Sequence, residues 1–134
     1  MALLTWNSSY SVSVKSCDLE HQKLFSLINQ LHDAMKIGRG RTVVADIVSN
    51  LETYTQTHFS AEEALMERAG YASLADHRVQ HRLFCDQVAQ FRRDLEAGTG
   101  DAVAVVTFLK DWLAAHILKT DKMYSAHLNS RGIQ

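Results

Sequence analysis

The stretch HRVQH, residues 77–81, places two imidazoles four positions apart, which on a helix stacks them on one face where they can grip a single metal ion. Other stretches carry the same kind of chemistry. HFSAEEALM sets His58 one turn before Glu62, His21 heads another apolar periodicity, and WLAAHILKTD holds His116 with Asp121 five residues later. Together these five imidazoles and two carboxylates offer up to about nine donor atoms, too many for one ion and suited to a pair bridged by the carboxylates. Two octahedral ions need about twelve bonds, and a bridging oxygen counted twice brings the total to about eleven. Roughly one position is left for a small ligand. Imidazole with carboxylate suits iron, copper, nickel or zinc, and carboxylate bridges narrow a dinuclear site to iron or manganese, with iron the economical choice. HRVQH is not a zinc-protease helix, because it lacks the glutamate that HExxH uses as general base.

The elements that must position these groups are legible from spacing. The chain has no proline, so glycines and capping residues divide it. Asp18 is placed to cap a first helix in which His21, Leu24, Phe25, Ile28, Leu31 and Met35 recur at three and four, ended by a turn at Gly38-Arg39-Gly40. The second runs from about Thr42 to Ala69, with Val44, Ile47, Leu51, Tyr54, His58, Glu62 and Leu65 on its stripe, and stops at Gly70. Ser73 and Asp76 resemble a capping box for a third, whose inner face is His77, His81, Phe84, Val88, Phe91 and Leu95, ended at Gly98. Val105, Leu109, Trp112, Leu113, His116 and Ile117 mark a fourth, running to about Leu128. Short connections favour antiparallel neighbours. The expectation is an all-α, up-down-up-down four-helix bundle in one domain over residues 1–134, with an arm of about residues 1–17 and helices over about 18–128.

In such a bundle His21, the His58/Glu62 pair and the His77/His81 pair fall within roughly two or three turns of one end, counted at about 1.5 Å per residue. The fourth helix brings His116 toward the same level. A metal site explains that shared level, whereas capped structural histidines would be scattered. Asp121 fits less simply, since five residues along an ideal helix turn it about 140° away from His116. Either a π-type widening between His116 and Asp121 brings both to the ion, or Asp121 is a solvated charge near Lys119 and Lys122.

Composition narrows the partners. With 14 basic and 15 acidic side chains the formal charge is −1, so no basic field would gather nucleic acid or anionic lipid. MALLTWNSSY has no signal-peptide character and no stretch reaches membrane-spanning length, which gives a cytoplasmic expectation. Cys17 and Cys85 are too few for a disulfide scaffold and are expected as free thiols. Cys85, one turn after His81, either borders the site as a soft donor or redox thiol or is a small core residue. His32 lies about three turns beyond His21, too far to join it; His127 is expected at the surface, and Glu63 pointing away from the site.

The spaced set Trp6, Asp18-x-x-His21, His58-Phe59-x-x-Glu62-Glu63-x-x-Met66, His77-x-x-x-His81 and Trp112-Leu113-x-x-His116-Ile117-x-x-x-Asp121 resembles the hemerythrin family, in particular its bacterial single-domain members, the bacteriohemerythrins. The resemblance covers almost the whole chain. It implies two non-haem irons, bridged by carboxylates and an oxo or hydroxo group. His77, His81 and His116 would hold one, His21 and His58 the other, with Glu62 and Asp121 bridging. It also implies reversible dioxygen binding at the iron held by His21 and His58, in an apolar pocket walled by Trp112, Leu113 and Ile117. The role would be oxygen storage, transport or delivery to an oxygen-consuming enzyme, rather than catalysis. A sensor of oxygen or redox state, a di-iron peroxidase and a nitric-oxide-handling protein are the alternatives. Ser13, where many bacterial relatives have glycine, and Cys17, where an aliphatic residue is common, depart from the pattern without removing a ligand.

Overall fold

The computed structural model describes residues 3–38 and 41–134. A 3₁₀ turn at Ser8–Tyr10 precedes helices α1 (Lys15–Lys36), α2 (Arg41–Ala69), α3 (Leu74–Ala97) and α4 (Ala102–Ala115); a π turn (His116–Asp121) then leads directly into α5 (Lys122–Ser130). No strand occurs among the described residues. Because α4, the π turn and α5 follow without a break, they form one rod, and the expected antiparallel four-helix bundle results. α1 packs on α2 and α4, α2 on α3 and α5, and α3 on α4.

The helix ends are set by different devices. At the start of α4 the Asp101 carboxylate accepts from Val103 N at 3.0 Å and Ala104 N at 3.4 Å, satisfying amides that have no partner inside the helix. α3 ends at Gly98, whose φ of 84° is left-handed, a conformation that glycine adopts without a Cβ clash. Two expected caps are not made. Ser73 stands at the N-cap of α3 but its side chain makes no capping bond. Asp18 lies inside the first turn of α1, which begins at Lys15 after Val14. Its carboxylate accepts from Ser11 Oγ at 2.6 Å and Val12 N at 2.8 Å, so it ties down the arm, whose own backbone competes for the acceptor. Arg39 and Gly40 of the expected first turn lie outside the described residues.

The arm is part of the core. Val12 and Val14 are buried, and Leu4 exchanges two 2.8 Å hydrogen bonds with the Asn29 amide. Trp6 packs edge-on against Phe25, with centroids 5.4 Å apart. Ser13 adopts φ 59°, a left-handed conformation in which a side chain is strained. With Cys17, it is one of the two positions that depart from the resemblance.

Between the helices the core is aliphatic and aromatic: Leu24, Ile28 and Leu31 from α1, Val48 and Leu51 from α2, Phe84 and Val88 from α3, Val105 and Leu109 from α4. The face that α2 buries is broader than the expected stripe, of which Val44, Leu51, His58 and Glu62 are buried. Ile47, Tyr54 and Leu65 are half-buried at its edge, while Val48, Thr55, Phe59 and Met66 face inward with Leu51, His58 and Glu62. A 29-residue helix packed between two neighbours presents a broad face, and the apolar residues on its margin mislead a one-stripe reading.

Candidate metal centre

At one level of the bundle the apolar core gives way to five histidines and two carboxylates, all between 0% and 4% exposed. α1 contributes His21, α2 His58 and Glu62, α3 His77 and His81, and the π turn both His116 and Asp121. Two sets of donor atoms converge: Glu62, His77, His81, His116 and Asp121 form one, and His21, His58 and Glu62 the other. Glu62 belongs to both.

The π turn places Asp121. Lys122 N donates to Ile117 O, a five-residue step, and this widening reduces the His116-to-Asp121 offset from about 140° to roughly 50°. Both side chains then face inward. Leu118 and Lys119 bulge outward and are exposed, while Ile117 stays buried.

The oxygens of the two carboxylates are divided between the two donor sets. Glu62 Oε1 lies 3.2 Å from His77 Nε2 and 3.2 Å from His81 Nε2, while Oε2 lies 3.4 Å from His21 Nε2 and 3.5 Å from His58 Nε2. Asp121 Oδ1 lies 3.0 Å from both His77 and His116, and Oδ2 3.2 Å from His21. Two donors at about 2.1 Å from one ion and at right angles are about 3.0 Å apart, so these separations match the edges of coordination polyhedra. Several of the atoms have no other partner: His21 Nε2, His77 Nε2, Glu62 Oε1 and Asp121 Oδ1 are buried without a hydrogen bond. Orphaned buried donors of this kind are expensive unless a cation satisfies them. The residues fit a pair of metal ions.

Residues around this cluster aim the rings. His58 Nδ1 bonds Glu20 Oε1 at 2.9 Å, His81 Nδ1 bonds Glu63 Oε2 at 2.8 Å and His116 Nδ1 bonds Gln80 Oε1 at 3.0 Å. An acceptor on the outer nitrogen holds the proton there and leaves the Nε2 lone pair for the centre. His81 also lies flat on Phe59, with centroids 3.6 Å apart and planes at 3°, and His116 stacks on Trp112 at 4.3 Å. Their ring planes are therefore clamped. Leu113 and Ile117 are buried on either side of His116, and Trp112 is half-buried against Phe84.

The electrostatics fit a site that attracts cations. Burial raises the Glu62 carboxyl, but the close approach of the His21, His77 and His81 rings outweighs it and holds the group well below its usual range. Burial also raises Asp121 and repulsion from Glu62 adds to that, yet His116 and His21 bring it far down. Without metal, His21 and His77 compensate these charges: burial disfavours their protonated rings, but the nearby carboxylates of Asp121 and Glu62 carry both up to about 9. Burial lowers His116. Protons stand in for cations here.

Several residues near the centre escaped the sequence reading. Glu20 and Gln80 each precede a cluster histidine in the chain, yet each serves a histidine on a different helix, which no single-helix pattern reveals. Glu63 does point away from Glu62, but it reaches round to the outer nitrogen of His81 and pairs with Arg78 at 3.2 Å. Tyr124, fully buried, donates to Glu62 Oε2 at 2.8 Å. Its place three residues after Asp121 is the one signal that could have found it. His127 is half-buried rather than on the surface, because Nε2 donates to Ala69 O at 2.7 Å across the end of α2. His32 stays apart, lining a cavity of about 330 Å³ with Leu3, Met35, Lys36, Val106 and Lys110. Cys85 is half-buried and Cys17 buried, both as free thiols. Burial, with repulsion from neighbouring carboxylates, raises the Cys85 thiol to about 11.

Comparison with known proteins agrees with this geometry. Residues 12–128 match the family model described as the hemerythrin HHE cation binding domain. The chain belongs to the hemerythrin family. Its hemerythrin relatives include the bacteriohemerythrin of Stenotrophomonas maltophilia, 35% identical over 96% of this chain and 86% of that one. The bacteriohemerythrin of Methylococcus capsulatus is 33% identical over 97% and 100%. A crystal structure of wild-type hemerythrin superposes with a TM-score of 0.89 at 32% identity, covering 95% of this chain and 98% of the other. No helix among the described residues is long and apolar enough to cross a membrane.

Proposed function

We propose that this chain binds dioxygen reversibly at a non-haem di-iron centre, serving oxygen storage, transport or delivery to an oxygen-requiring enzyme. The observation that carries the reading is the pair of converging donor sets sharing Glu62. His77, His81 and His116 would hold one iron and His21 and His58 the other, with Glu62 and Asp121 shared between them. The second set has fewer donors, which would leave room for a small ligand on the His21/His58 side. When bound, the two irons supply the electrons that make oxygen binding possible and reversible. The likeness to bacteriohemerythrins supports the same reading.

The chain's own residues account for binding rather than turnover. Five neutral imidazoles against two carboxylates donate less charge than a glutamate-rich set, which disfavours the highest oxidation states. Leu113, Ile117 and Trp112 shield the centre, and excluding water slows irreversible loss of the bound gas in reduced form. Two free thiols suit a reducing compartment, and we place the protein in the cytoplasm.

The test is iron quantification with visible spectra through an oxygenation and deoxygenation cycle. Two irons per chain and a colour change reversed by degassing are expected. His58→Ala should keep its helix content and lose the cycle. An iron content of one per chain, or oxygen spectra unchanged in that variant, would refute the assignment.

A further inference from the structure

Among the described residues, Tyr124 is the one side chain outside the seven that donates a hydrogen bond into the heart of the cluster. Its hydroxyl is 2.8 Å from Glu62 Oε2, and both residues are fully buried. The choice of oxygen matters. Oε2 is the atom that faces His21 and His58, whereas Oε1 faces His77 and His81. Among the described residues Asp121 Oδ1 has no hydrogen-bond partner. The arrangement is therefore unequal between the two sides.

The phenol is held between aromatic neighbours. Its ring stacks on His77 with centroids 5.8 Å apart and meets Tyr71 edge-on at 6.5 Å. The buried Cys17 thiol lies beside the hydroxyl and, raised to about 12 chiefly by burial, remains a neutral neighbour. The π turn that delivers Asp121 also sets the register of Tyr124, so the donor and the second carboxylate arrive on one face together.

We propose that Tyr124 is a positioning residue whose hydrogen bond to Glu62 Oε2 makes the two iron positions electronically unequal and sets how readily oxygen is released. A donor on a carboxylate oxygen withdraws electron density from it, as charge-assisted bonds do most strongly. Glu62 Oε2 then donates less to the iron on the His21/His58 side. That iron is left poorer in electrons, its oxidised state is disfavoured, and release of oxygen is eased. The inference rests on the di-iron oxygen-binding reading above.

The experiment compares the iron-loaded protein with Tyr124→Phe, which keeps the ring and removes the donor. Under argon, the midpoint potential should fall, and one of the two Mössbauer components should shift while the other stays. With oxygen, release in stopped flow should slow by about tenfold, the scale of one hydrogen bond to a charged group. Site-specific replacement of Tyr124 by 3-fluorotyrosine, a stronger donor, should move potential and release the opposite way. It also decides the matter if Tyr124→Phe loses iron. A potential, Mössbauer spectrum and release rate within error of the unaltered protein in the fluorinated variant, or in an iron-replete Tyr124→Phe, overturns the proposal. The argon measurements test Tyr124 alone; failure of the unaltered, iron-loaded protein to cycle with oxygen overturns the functional reading instead.

Discussion

Replacing Glu20 by alanine should weaken one iron position and spare the other. The Glu20 carboxylate is the acceptor for His58 Nδ1 at 2.9 Å, and His58 is only 1% exposed. Removing it leaves a buried N–H without a partner, which costs roughly 1–3 kcal/mol, and frees the ring to place its proton on the nitrogen needed by the metal. Loss of such a supporting partner typically weakens metal binding about 10- to 100-fold, or about 1.4–2.7 kcal/mol. Since His58 belongs to the smaller donor set, the loss should fall there, while the set containing His77, His81 and His116 keeps its own partners Glu63 and Gln80. The assay is chelator competition on the iron-loaded protein, following iron per chain. Biphasic loss, with one iron leaving about 10- to 100-fold more easily, is expected. Glu20→Gln keeps an acceptor without the charge and should fall between. Chelator resistance of Glu20→Ala within twofold of the unaltered protein would refute the idea that Glu20 fixes the His58 tautomer.

Ser13→Gly should stabilise the chain by about 0.5 kcal/mol in urea melts, because glycine relieves a left-handed strain of about 1 kcal/mol while adding freedom to the unfolded chain; a lower midpoint would contradict this. Stability of the metal-free protein should depend on pH in both directions. The rings of His21 and His77 rise from 6.5 to about 9 on folding, so their contribution is full below pH 6.5 and fades as pH climbs through 9. Glu62 is depressed, so its contribution is present above 4.5 and fades on acidification. Melting temperature should therefore peak between pH 4.5 and 6.5 without metal, and a flat profile from pH 6 to 9 would count against these couplings. Leu113→Ala, truncating a side chain 3% exposed, should cost about 2–4 kcal/mol of stability and shorten the life of the oxygenated spectrum several-fold. An unchanged lifetime would remove Leu113 from the protective wall.

Helix content was legible in the sequence because amphipathic spacing is a local property. His77, His81, Phe84, Val88 and Leu95 share one face of α3 whatever surrounds it, and they are buried in the folded chain. The residue types for a metal centre were equally legible, since imidazole and carboxylate on apolar stripes have few other reasons to be there. Even the irregular step from His116 to Asp121 could be anticipated from its five-residue offset, and the π turn spans those residues. Competition between distant groups could not be read in this way. Asp18 binds the arm instead of capping α1, and His127 reaches the end of α2 instead of solvent, because each found a partner outside its own helix.

What the sequence by itself determined is the set of helices and the chemistry each presents, since both follow from periodicity and side-chain type within one or two turns. Tertiary structure alone decided which oxygen faces which histidine, which outer nitrogen is held by Glu20, Glu63 or Gln80, and where the Tyr124 proton points. Those choices depend on ångström separations between helices that meet only after packing, and a hydrogen bond is lost over distances far smaller than a helical turn.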